Sequence, residues 1–168
     1  MKKILFYGYG NPGRQDDGLG IAFAEALEKF VREQKYQGIS FDSNYQLNIE
    51  DADTIKKYDL VFFCDASRED IGDFCITKVK PSDAHVEFTM HAVSPAYVLD
   101  LCRKIFGKNP DTYLIHIKGY AWEFQQQLSN GAKANLRKAV MYFQKLLPEL
   151  LDEQKMQHRS MPECMKIT

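Results

Sequence analysis

An α/β fold with a largely parallel sheet and helices on both of its faces is predicted for this chain. Three features predict it. Strand-like and helix-like segments alternate along the sequence, which is the order that builds parallel sheets. Residues 59–67, DLVFFCDAS, form a continuous apolar run without alternation, as a strand covered on both faces requires. The chain also opens with a short apolar strand that breaks at glycine and passes through GYGNPGRQDDGLG directly into a helical pattern.

The elements follow in order. Residues 3–7, KILFY, read as a buried strand ended by glycine. From Leu19 the period changes: Leu19, Phe23, Ala26, Leu27, Phe30 and Val31 recur at helical spacing. Gly18 and Gly20 stand in the first turn of that helix, where the chain must pass close to something. Ile39 and Phe41, with Tyr45 beyond them, mark a second strand. Residues 50–57 run from acidic to basic, as a short helix and its dipole favour. DLVFFCDAS is the third strand, with Asp65 near its end. Residues 73–80, DFCITKVK, alternate and fit an edge or half-exposed strand. Residues 94–107 are a well-marked helix, with Ser94 able to cap, Pro95 at the first helical position and Gly107 just past the end. Residues 112–118, TYLIHIK, are a further strand. Residues 132–151 form a long amphipathic helix carrying Leu136, Ala139, Val140, Phe143, Leu146, Leu147 and Leu150 on one stripe. The pattern ends there, so residues 1–151 are expected to form a single α/β domain and 152–168 a loosely held tail.

The 168 residues match one domain at about 150 residues each. A chain of this length buries about 70% of its unfolded surface, enough for one core without staples. With 22 basic against 23 acidic residues the net charge is −1, so there is no basic excess for a phosphate backbone and nucleic acid is not an expected partner. No apolar run approaches the ~18 residues of a membrane span, and the opening apolar run is too short for a signal-peptide core. The cysteines at 64, 75, 102 and 164 lack C-x-x-C spacing, and three lie in apolar runs. Buried thiols in the cytoplasm are expected, not a disulfide framework or a zinc site.

In folds of this type, sites form outside the carboxyl ends of the strands. The first strand delivers Asn11, Arg14, Asp16 and Asp17 in one loop, and the third delivers Asp65. The segment TMHAVSP places His91 just before the helix capped by Ser94. Two carboxylates and an imidazole on one cleft suit a borderline divalent metal with coordination positions left open. Each residue also has a plainer reading. Asp16 or Asp17 could cap the following helix, Asp65 could form a strand-end turn, and His91 could be a structural histidine.

The literal G-x-G-x-x-G of GYGNPG suggests a dinucleotide site, and that reading does poorly. Pro12, Arg14 and two aspartates intervene before the helix, and the carboxylates would repel a pyrophosphate. An acidic residue is expected ~20 positions on, whereas Asp42 comes 29 positions after Gly13. No G-K-[ST] follows, which excludes a P-loop, and neither G-x-S-x-G nor H-E-x-x-H occurs. His116 alternates within a strand and reads as structural. Trp122 and Phe124, in GYAWEFQQQLS, fit packing or the grip of a peptide.

Taken together, these stretches resemble the hydrogenase maturation proteases, endopeptidases that trim the C-terminal extension from the large subunit of nickel–iron hydrogenases. GYGNPGRQDDGLG, Gly8 to Gly20, is similar to the family's G-x-G-N-x-x-x-x-D-D-G-x-G. VFFCDA, Val61 to Ala66, and the stretch from His91 to Ser129 follow in the family's order, and the likeness runs from about residue 3 to 147. It implies a three-layer α/β/α sandwich around a twisted, mostly parallel sheet. It implies metal-directed and catalytic roles for Asp17 rather than Asp16, for Asp65 and for His91. No cofactor would be tightly bound, because nickel would arrive in the precursor. The partner would be that hydrogenase large-subunit precursor, handled by a monomer. One departure stands out. SNYQLNIEDAD replaces the D-G-G-T-x-G stretch of many members and, with H-x-x-S-P, looks more like the branch serving soluble, bidirectional-type hydrogenases. A non-catalytic precursor-binding chaperone, a nucleotide binder and another metal-dependent processing hydrolase on the same fold are the alternatives.

Overall fold

The computed structural model of the chain describes residues 1–82 and 93–152. Strands β1 (Ile4–Tyr9), β2 (Ile39–Asn44), β3 (Leu60–Ser67), β4 (Phe74–Lys78) and β5 (Asp111–Lys118) form one sheet in the order β2-β1-β3-β5-β4. The first, second, third and fifth strands run parallel, and β4 pairs antiparallel with β5 at the edge. The alternating pattern of residues 73–80 had marked that edge strand. Helices α1 (Leu19–Gln34) and α4 (Asn130–Leu151) cover one face, and α2 (Asp51–Ile55) and α3 (Pro95–Phe106) the other. The architecture is the three-layer α/β/α sandwich that was expected.

Strand alternation divides the core in two. Ile4, Phe6, Leu60, Phe62, Cys64, Ile115 and Ile117 point to the α1/α4 side. There the Phe6 and Phe62 rings stack at 4.9 Å, and Phe143 of α4 meets Phe62 edge-on at 5.2 Å, the offset and edge-to-face geometries aromatic rings prefer. Leu5, Tyr7, Tyr9, Val61 and Phe63 point to the α2/α3 side, against Val98, Leu99 and Cys102. By the same parity Asp65 belongs to this second face.

The helix ends follow from the sequence. Ser94 accepts a hydrogen bond from the Tyr97 N–H at 3.2 Å, Pro95 opens α3, and Gly107 closes it at φ 63°. Ser129 caps α4 in the same way through the Ala132 N–H. His116 faces Thr77 across β4 and β5, with 2.8 Å between its Nε2 and the threonine hydroxyl, so it is a sheet residue as read. Two expectations are corrected. Cys64 and Cys102 are buried free thiols, but Cys75 is bonded in a disulfide. An inward-facing cysteine in an apolar strand looks the same in sequence in either state. Neither Asp16 nor Asp17 caps α1, whose N-cap is Gly18 with no side-chain cap bond, because a tight 3-10 turn, Gln15–Gly18, precedes the helix and points both carboxylates elsewhere. Of the tail expected at 152–168, Asp152 ends α4 as its C-cap, and residues 153–168 lie outside the described residues. No helix among the described residues is long and apolar enough to cross a membrane.

Candidate active site

After β1 the chain goes to β2 on one side and then to β3 on the other. The strand order therefore reverses between β1 and β3, and in folds of this type the crevice where sites form is the one outside the carboxyl ends of the strands at that reversal. The loop from Gly10 to Gly18 and the end of β3 meet at this crevice. Close backbone approach makes it possible. A Cβ at Gly20 would lie 2.3 Å from the Cys64 carbonyl oxygen and 2.5 Å from that of Tyr9. Gly10 sits at φ 132°, where its Cβ would strike the Asp17 carbonyl at 2.0 Å. These glycines press the start of α1 onto β1 and β3, and so bring Asp17 beside Asp65.

The two adjacent aspartates have opposite surroundings. Asp16 is fully buried. Its carboxylate accepts hydrogen bonds from the N–H groups of Tyr120, Ala121 and Ser129 and from the Ser129 hydroxyl, all between 2.7 and 2.9 Å. Burial alone would raise its pKa, but these four donors outweigh it and hold the carboxyl below the ordinary range. Gln15 and Asp16 add backbone bonds to Gln125 and Ala121, and the Gln15 side chain accepts from the Glu123 N–H. Asp16 is thus the clasp that fastens the 119–129 loop over the turn.

Asp17 faces the crevice, half-buried. One carboxylate oxygen accepts from the Asn11 N–H at 2.8 Å. In a phosphate loop such an N–H would be free for the ligand's oxygen. Here the chain's own carboxylate takes the anion's place, which disposes of the dinucleotide reading.

Asp65, at the end of β3, is pushed up to about 7, first by burial and then by the charge of Asp17; the Ala66 N–H and the Tyr9 hydroxyl pull the other way without prevailing. Tyr9 is itself only 8% exposed, and burial, then the Asp65 charge, raise its phenol well above the ordinary value. Its role at the site was not read from the sequence. Its place as the last residue of β1, on the same sheet face as Asp65, was the available signal.

His91, the third expected member, lies outside the described residues. Val93, the first described residue after it, packs on the α2/α3 face to which Asp65 belongs. Among the described residues no group of three or more His, Cys, Asp and Glu side chains forms a metal cage. What the structure brings together is a carboxylate pair, Asp17 and Asp65. The charge of Asp17 raises the proton affinity of Asp65, and such a pair is relieved by a proton or a cation, so it suits a metal supplied with a third ligand from elsewhere.

No family model and no curated protein sequence matches the chain. Solved structures do. A [NiFe] hydrogenase maturation protease, HycI, from Thermococcus kodakarensis KOD1 superposes with a TM-score of 0.70 at 24% identity, over 88% of this chain and 93% of that one. The fold is that of hydrogenase maturation proteases. The hydrogenase maturating endopeptidase HybD of E. coli matches with a TM-score of 0.66 at 21% identity, again over 88% and 93%. A further E. coli endopeptidase matches at 0.66 and 19%, over 95% of this chain and 97% of its own.

Proposed function

We propose that the chain is a processing endopeptidase that removes the C-terminal extension of a nickel-loaded hydrogenase large-subunit precursor. The observation that carries this reading is the Asp17/Asp65 pair at the switch point of a maturation-protease fold, with Asp16 turned away to a structural task. In this reading the precursor presents nickel already held by its own ligands. Asp17 and Asp65, with His91 as the imidazole, complete the coordination and fix the precursor so that one peptide bond lies at the crevice. Positioning alone lowers the barrier substantially, because the bound geometry replaces a bimolecular encounter. Asp17, half-buried at the crevice, is suited to take a proton from the attacking water; the substrate's nickel, as a Lewis acid, is the other candidate for activating it. The Q-L and H-x-x-S-P stretches favour a precursor of the soluble, bidirectional type.

The test is incubation with nickel-loaded and nickel-free precursor, followed by mobility on a gel. Trimming of the loaded form alone is expected. Asp17→Ala and His91→Ala should abolish it while leaving the circular-dichroism spectrum unchanged. Equal trimming of both precursors, or normal trimming by either variant, would remove the metal-directed role. Binding without any cleavage would instead favour a precursor chaperone.

A further inference from the structure

Two arginines flank the carboxylate pair symmetrically in sequence: Arg14 stands three residues before Asp17, and Arg68 three residues after Asp65. Each guanidinium lies on an aromatic ring of the same loop. The Arg14 guanidinium carbon is 5.2 Å from the Phe124 ring centre, and that of Arg68 is 4.2 Å from the Trp122 ring centre. Among the described residues neither has a carboxylate partner, whereas Arg32 and Arg103 pair with Glu28 and Asp100 at 2.7 Å. The Nε of Arg14 is buried and makes no hydrogen bond. Phe124 is 83% exposed, so packing does not account for its place.

We propose that Arg14 and Arg68, laid on Phe124 and Trp122, form a carboxylate-reading rim beside the Asp17/Asp65 crevice. The rim takes an acidic side chain or the terminal carboxylate of the polypeptide that enters it. A guanidinium stacked on a ring leaves its in-plane N–H edge open, and that edge matches a carboxylate with two parallel hydrogen bonds. The loop that carries the rings is already held. Seven hydrogen bonds fasten residues 15 and 16 to the 120–129 segment, five of them made by the side chains of Gln15 and Asp16. The receptor side is therefore ordered before the ligand arrives, which lowers the entropy cost of binding. The charge pattern also fits. An acidic peptide would be repelled by Asp17 and Asp65, and the rim gives its carboxylates a cationic seat outside the pair.

The inference rests on the processing reading only for the polypeptide nature of the ligand. Trp122 is the chain's only tryptophan, so its indole N–H resonance reports on the rim without a label. The full chain is titrated with a blocked tripeptide bearing a central glutamate, with its glutamine counterpart, and with acetylated trialanine as free acid and as amide. The carboxylate probes should shift the resonance saturably, with at least tenfold tighter binding than their neutral partners and weakening as salt rises. The stronger of the two acids identifies which carboxylate the rim reads. Arg14→Gln and Arg68→Gln should each weaken the acids tenfold or more. The lysine variants should recover only part of the loss, because a point charge lacks the two-pronged edge. Equal binding of acid and neutral probes, or unchanged binding in the glutamine variants, would overturn the proposal. The two readings fail separately. Precursor trimming with KM unchanged in the double glutamine variant removes the rim and keeps the protease. Tight acid binding without any trimming keeps the rim and removes the protease.

Discussion

Asp16 and Asp65 are both shielded carboxylates at the carboxyl edge of one sheet, and they differ in almost everything else. Asp16 has four hydrogen-bond donors and is held in the ionised state. Asp65 has few donors, faces another carboxylate and is pushed up to about 7. A satisfied buried charge is a structural fastener. An under-satisfied one is a destabilising element that folding tolerates when a ligand is to relieve it. The contrast explains why the chain carries two adjacent aspartates: Asp16 holds a loop, and Asp17 joins Asp65 at the crevice.

The largest effect that would sharpen this contrast is on activity. Asp65→Ala should lower trimming of nickel-loaded precursor by roughly a thousandfold or more, read as the rate of the gel shift, without loss of fold. Asp16→Ala should act through stability instead. It strands four donors and is expected to cost about 3 kcal/mol, or roughly 10 °C in thermal unfolding. If the two variants lost activity and stability in equal proportion, the division of labour would collapse.

A third prediction follows from the signs of the two shifts. The folded pKa of Asp65, about 7, lies above its ordinary 3.8. Between those values the native state binds more protons than the unfolded one, so its contribution to stability declines as pH rises through the window. Asp65→Asn should remove that decline and gain on the order of 2 kcal/mol at pH 8, vanishing near pH 4, in urea titrations at each pH. Asp16 has the opposite sign. Its folded pKa is depressed, so its contribution is complete at neutral pH and is lost as pH falls below about 4. The smallest expected effect is that of Phe124→Ala, whose exposed ring should change unfolding free energy by less than about 0.5 kcal/mol. A larger loss would give the ring a packing role.

Much of this was legible in the sequence because it is written in local chemistry. Ser94, Pro95 and Gly107 bracket α3 through backbone preferences of their own, and the unbroken LVFFC run requires a strand covered on both faces. The resemblance in GYGNPGRQDDGLG selected Asp17 over Asp16. What periodicity could not supply was the partner of each side chain. The donors to Asp16 lie 104 and more positions away, at Tyr120, Ala121 and Ser129, so the turn looked like a helix cap. The disulfide at Cys75 and the face shared by Tyr9 and Asp65 were hidden for the same reason.

By itself, then, the sequence determined which segments are strands and helices, where they stop, and which carboxylates stand at strand ends. Those properties depend on neighbours within a few residues. Only the tertiary structure decided which aspartate is fastened and which is left wanting, and which rings the two arginines lie on. Hydrogen-bond satisfaction and electrostatic environment are set by atoms brought together across the sheet, and their sign cannot be read until the chain has folded.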